Sequence, residues 1–196
     1  MQQQPSSPHL RDNAVDRKLG EHWERQFCLL TAREGKSFTP QQIGRDRAAS
    51  WARRVDDAWK LTLLPDVTVW TAPGEHHEIK HKAPTRGGCY GLESYRLDAL
   101  VAFRQETKQP VLYTIHDWHH AGAPDGRAEM PNRLADWLTI DVLTLDRLVD
   151  ELELHHVPFD TWVNGKACSR PGYYWPAKLW MPLETWWANK WQSECA

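Results

Sequence analysis

PDVTVWTAPGEHHEIKHK, residues 65–82, holds two short runs of alternating character separated by the turn signal Ala72-Pro73-Gly74. Side chains of a strand alternate between faces, so Val67 and Val69 point into a core while Asp66, Thr68 and Trp70 point the other way. In the second run Glu78 and Lys80 share a face and Ile79 takes the opposite one. Paired as a β-hairpin, the runs bring the carboxylates of Asp66 and Glu78 together, with the Lys80 ammonium in reach of both. A hard divalent cation suits that arrangement. Mg²⁺ takes one or two carboxylates from protein and completes its shell with water and phosphate oxygens. Carboxylates beside a lysine therefore point to metal-assisted hydrolysis of a phosphodiester rather than to a closed structural site.

Outward from the hairpin, the chain reads as alternating helices and strands. Val15, Leu19, Trp23, Phe27 and Leu30 form a helical stripe between Asp12 and about Arg33, with Glu24 beside it. Thr39-Pro40-Gln41-Gln42 carries an N-cap, a first-turn proline and a capping-box glutamine, which predicts a second helix to about Trp59 presenting Arg45, Arg47, Arg53 and Arg54. YGLESYRLDALVAFRQE, residues 90–106, predicts a helix with Leu92, Tyr95, Ala99, Leu100 and Phe103 on one face. PVLYTIHDW, residues 110–118, and WLTIDVL, residues 137–143, read as strands, the second followed by a helix capped by Thr144. Beyond about Val157 a turn at Asn164-Gly165, a strand from Tyr173 to Met181 and a terminal helix from near Pro182 are expected. Together these predict an α/β fold, a central mixed sheet flanked by helices.

Composition bounds the reading. The 196 residues suit one domain with a proper core. Residues 1–11 suit a disordered tail. There is no apolar run of ~18 residues and no secretory leader pattern, so the chain reads as cytoplasmic and not membrane-bound. Cys28, Cys89, Cys168 and Cys195 stand far apart without zinc or framework spacing and read as free thiols. A formal net charge of −2 gives no global basic signature, so a nucleic-acid partner has to be met by a local patch. Of twelve tryptophans, Trp175, Trp180, Trp186, Trp187 and Trp191 crowd the C-terminal part, where core and interface packing outweighs base stacking.

The hairpin resembles the PD-(D/E)XK nuclease superfamily of restriction-endonuclease-like fold, with Pro65-Asp66 as its first motif and Glu78-Ile79-Lys80 as its E-x-K. Gly20-Glu21-His22-Trp23-Glu24-Arg25 is similar to the G-x-x-x-E-R opening of Holliday-junction resolvases. The resemblance spans about residues 17–118. It implies a nuclease core over residues 12–120 with a helical insertion at about 40–59, and a Trp-rich α+β extension over 121–196 packed on it. It also implies that Asp66, Glu78, the Ile79 carbonyl and Glu24 ligate Mg²⁺ or Mn²⁺, and that Lys80 positions or deprotonates the attacking water. Tyr95 on the following helix would touch the metal water or the DNA backbone, with Tyr90 and Arg96 as neighbouring alternatives. Lys82, Arg86, Arg96 and Lys36 become candidates for DNA phosphates. The implied activity is Mg²⁺-dependent DNA cleavage, in recombination, repair or mobile-element processing, by a homodimer whose C-terminal tryptophans form the interface.

Two other functions compete. One is a nucleic-acid-binding or assembly protein on a nuclease fold that does not cleave, which predicts loss of a catalytic residue. The other is a zinc hydrolase built on His116, Asp117 and His120, although a strand running into a loop does not converge that spacing on one ion.

Overall fold

The computed structural model describes residues 13–41, 51–55, 58–62, 65–85, 87–119, 132–163 and 166–194. Helix α1 (Asn13–Arg33) turns Trp23, Phe27 and Leu30 inward, as the periodicity predicts. It ends where Gly35 takes φ +70°, and the amides of Gly35 and Lys36 close on the carbonyls of Ala32 and Thr31, each at 3.0 Å.

The strands are β1 (Ser37–Pro40), β2 (Trp51–Val55), β3 (Ala58–Thr62), β4 (Val67–Trp70), β5 (Glu75–Lys82), β6 (Cys89–Glu93), β7 (Val111–Asp117), β8 (Trp137–Asp141), β9 (Val157–Val163), β10 (Lys166–Pro176) and β11 (Met181–Pro182). The remaining helices are α2 (Ser94–Thr107), α3 (Val142–Glu151) and α4 (Leu183–Glu194). A six-stranded sheet has the order β1-β4-β5-β7-β8-β11. Strands β5 and β7 run parallel and the other neighbours antiparallel, so the sheet is mixed, as expected from the sequence. The chain beyond residue 121 supplies β8 and β11 to that sheet.

Alternation along the strands divides two cores. On one face, Val67, Val69, Ile79 and Trp137 pack with Trp23, Phe27 and Leu30 of α1 and with Leu183 and Trp187 of α4. On the other, Tyr113, Ile115 and Ile140 pack with Leu97 and Leu100 of α2, Leu145 of α3, and Trp175 and Trp180. Burying side chains of this size contributes about 1.5–3 kcal/mol each. Trp175, Trp180 and Trp187 are spent inside the chain's own core, which corrects their assignment to a dimer interface.

Glu75, at the start of β5, ties α4 to the hairpin. It is fully buried and accepts hydrogen bonds from Trp186 Nε1 at 3.0 Å, Trp187 Nε1 at 2.6 Å and His77 Nε2 at 3.1 Å, with Lys190 Nζ at 3.1 Å. Burial alone would raise its carboxyl pKa, but His77, Lys190 and Trp186 outweigh it and hold the group well below the usual carboxylate range.

Four expectations are corrected. The helix over 40–59 is absent from the described part of that span: β1 pairs with β4, and β2 pairs with β3 from Trp51↔Thr62 to Val55↔Ala58, while residues 42–50 lie outside the described residues. Period-two alternation in WARRV and AWKLT outweighs the capping signature. Tyr90 and Leu92 belong to β6, so α2 starts at Ser94 and buries Arg96, Leu97, Leu100 and Val101, one position out of phase with the expected face. Asp141 rather than Thr144 caps α3, its carboxylate accepting the Leu143 amide at 2.8 Å. Finally, β10 starts at Lys166 and stops at Pro176, and it pairs with β6 and β9 in a separate three-stranded sheet.

Candidate active site

The β4–β5 register, with Val67 opposite His77, sets Asp66 beside the middle of β5. Asp66 Oδ2 accepts the Ile79 amide at 2.7 Å. Lys80 turns back along the same face, its Nζ 2.5 Å from Glu78 Oε1, 2.8 Å from the Ile79 carbonyl and 3.6 Å from Asp66 Oδ2. Three oxygens from two adjacent strands thus converge on one ammonium. From the first turn of α2, Arg96 Nη1 donates to the same Glu78 Oε1. Glu78 is 3% exposed, whereas the Lys80 side chain keeps 26%, so the site opens to solvent on the lysine's side.

This crowding leaves its mark on protonation. Burial first, and Glu78 second, push Asp66 up to about 6 against the pull of Lys80. Burial disfavours the charged guanidinium of Arg96, but Glu78 and Asp66 outweigh it and keep Arg96 firmly protonated. Lys82 turns inward, its Nζ donating to the Gly91 carbonyl at 2.8 Å and to Tyr113 Oη at 2.6 Å; burial and the Lys80 charge lower its pKa to about 7. On α1, burial and the charges of Glu24 and Asp66 push the Cys28 thiol up to about 11. Cys28 therefore lies in electrostatic reach of both carboxylates, Glu24 one turn earlier on α1 and Asp66.

The other candidates divide. Tyr95 stands next to Arg96 in the chain, but among the described residues its buried hydroxyl has no hydrogen-bond partner, and its ring faces Arg170 at 4.8 Å. Arg96, rather than Tyr95, is the α2 side chain that reaches the carboxylates. The phase shift of α2 hid this, since an arginine on the inward face carries no apolar signal. Tyr90 donates to Asp117 Oδ2 at 2.6 Å, away from the pair. Lys36 lies over the Trp187 ring at 4.8 Å, and Arg86 lies outside the described residues.

The zinc alternative is corrected. His116 is fully buried on the α1 face, stacked on Trp23 and joined to His81 through their Nδ1 atoms at 3.0 Å. Asp117 points to the opposite face, towards Tyr90, and His120 lies outside the described residues.

Among the described residues no group of three or more His, Cys, Asp or Glu side chains is arranged to hold a metal ion. Two carboxylates and a carbonyl nevertheless fit a hard divalent cation that draws its other ligands from water and phosphate. The Lys80 ammonium lies among these oxygens, at a point where positive charge is favoured. No described helix is long and apolar enough to cross a membrane.

No family model and no curated protein matches the chain. Among solved structures it is similar to Archaeoglobus fulgidus Hjc, a Holliday junction resolvase from an archaeal hyperthermophile, at 12% identity and a TM-score of 0.46, over 84% of this chain and 91% of that one.

Proposed function

We propose that this protein is a divalent-metal-dependent nuclease that hydrolyses phosphodiester bonds of DNA. The observation that carries the reading is the convergence of Asp66 Oδ2, Glu78 Oε1 and the Ile79 carbonyl on a single cationic centre at an opening to solvent. Asp66, Glu78 and Ile79 would hold Mg²⁺ or Mn²⁺, and Glu24 would add a carboxylate from α1. Bound there, the ion supplies Lewis-acid stabilisation of a phosphoryl group.

The chain's own residues do the rest. Lys80, partly exposed and attached only through its flexible stem, leaves the carboxylates to orient the attacking water and to offset charge developing on the phosphorane oxygens. The buried carboxylates stay fixed, Asp66 by the Ile79 amide and Glu78 by Arg96. Lys36, together with Arg86 outside the described residues, would meet backbone phosphates, the sequence-independent part of DNA affinity. Cutting both strands of a duplex calls for two such sites, so the proposed working unit is a two-fold homodimer acting in recombination or repair. A monomer mass in light scattering at micromolar concentration would oppose the dimer.

Cleavage of plasmid, linear duplex, single-stranded and branched DNA, with Mg²⁺ and with Mn²⁺, tests the activity. Wild-type cleavage that Asp66→Ala and Lys80→Ala both abolish is the expected result. DNA binding with silence on every substrate and either metal would replace the nuclease with a non-cleaving scaffold.

A further inference from the structure

The charges in direct contact at the site balance: Asp66 and Glu78 against Lys80 and Arg96. Both cations act on the same oxygen, Glu78 Oε1. A divalent cation entering this buried setting would add two positive charges to a neutral cluster, which low local polarity makes unfavourable. Lys80 can relieve the excess by swinging into solvent. Arg96 cannot: it is 8% exposed and is fixed at the start of α2 next to the fully packed Leu97.

Arg96 also carries an unmet donor. Its Nε is buried with no hydrogen-bond partner among the described residues. Buried donors are almost always satisfied, so this one, on the guanidinium that holds Glu78, calls for an acceptor that the described residues do not provide. A phosphodiester oxygen is such an acceptor. It matches the fork of a guanidinium and brings the negative charge that the cluster lacks once a metal is present.

We infer that Arg96 couples metal occupancy to the presence of a phosphodiester: without DNA its charge on Glu78 opposes a divalent cation, and a phosphate oxygen taken up by the same guanidinium offsets that charge. This inference rests on the nuclease reading and specifies its regulation. Metal binding to the free protein is weak, and DNA strengthens it; by linkage the metal strengthens DNA binding by the same factor. Arg96 is a positioning residue here, acting through Glu78.

The test is calorimetric titration of Mn²⁺ into the full chain, with and without a phosphorothioate-substituted duplex that resists cleavage. In the wild type the duplex tightens Mn²⁺ binding by about tenfold or more, within the usual range for coupled sites. Arg96→Gln, which removes the charge and retains polarity, binds Mn²⁺ about tenfold tighter than wild type without DNA, and the duplex adds nothing further. Arg96→Lys keeps the charge and so keeps weak binding, but it loses most of the gain from DNA because an ammonium cannot span Glu78 and a phosphate in one fork. Mn²⁺ binding by Arg96→Gln that is no tighter than wild type overturns the inference. If Arg96→Gln fails to fold by circular dichroism, Arg96→Lys decides: a gain from DNA equal to that of the wild type overturns it. A wild type that binds Mn²⁺ and cleaves DNA, yet shows no gain from the duplex, sinks only the role of Arg96. One that binds no Mn²⁺ under either condition sinks the nuclease reading with it.

Discussion

Trp23 and His116 lie face to face, with ring centroids 3.6 Å apart and planes inclined by 14°. His81 stacks on the same indole at 4.9 Å, and the two imidazoles share one hydrogen bond between Nδ1 atoms 3.0 Å apart. One proton serves that contact, so a second would place two donors against each other. The stack fastens α1 to the sheet next to Glu24.

Burial, and then the neighbouring His81, push His116 down to about 3. The native state resists a proton that the unfolded chain accepts near the ordinary histidine value of about 6.5, so stability falls as pH drops from there towards 3. At pH 5 the loss from this group is about 2 kcal/mol. Urea unfolding at pH 7.5 and 5 should therefore show a smaller pH effect in His116→Leu than in wild type. An undiminished effect would place the titration elsewhere.

Glu75 has the opposite origin and the same direction. Its depressed native pKa gives stability that is complete above the unfolded value of about 4.3 and is lost as pH falls through the native one. Glu75→Gln keeps the shape but not the charge opposite Lys190, and is expected to lower stability by about 3 kcal/mol at pH 7. Thermal melts of the two proteins should draw together below about pH 4.

Asp66 should show what the site costs the fold. Its native pKa of about 6 lies above the unfolded carboxylate value, so its contribution is fully present below about 3.9 and is lost as pH rises through 6. Asp66→Asn still accepts the Ile79 amide and removes that penalty. We expect it to be more stable than wild type at pH 8, on the order of 2 kcal/mol, and no longer able to cleave. Equal or lower stability at pH 8 would contradict the burial argument.

Gly91 on β6 allows close packing in the three-stranded sheet. A Cβ there would stand 2.2 Å from Phe159 Cζ and 2.7 Å from the Tyr174 ring, two rings already stacked at 4.6 Å. Gly91→Ala is expected to destabilise by about 1–3 kcal/mol in denaturant unfolding, because both rings must shift.

Much of this was readable from local pattern. The Ala72-Pro73-Gly74 turn and the alternation around it gave the hairpin, and Asp66, Glu78 and Lys80 share a face because strands have period two. The helix expected over 40–59 failed because a capping signature is local, while pairing of β1 with β4 and β2 with β3 is not. Arg96 was named for phosphate but not for its contact with Glu78, since a shift of one residue in helical phase turns a surface charge into a buried one. Glu75 gave no signal, because its partners Trp186, Trp187 and Lys190 lie 111, 112 and 115 positions away.

That separation has a consequence for how the protein is made. Strand β5 carries Glu78 and Lys80, and it cannot bury Glu75 until α4 arrives with the indoles and the ammonium that satisfy it. At ribosomal speeds of about 5–20 residues per second, the strand waits on the order of ten seconds for those partners. A chain still threading the exit tunnel therefore holds β5 without its α4 anchor, and the strand that carries Glu78 and Lys80 is fastened at its start only as α4 emerges.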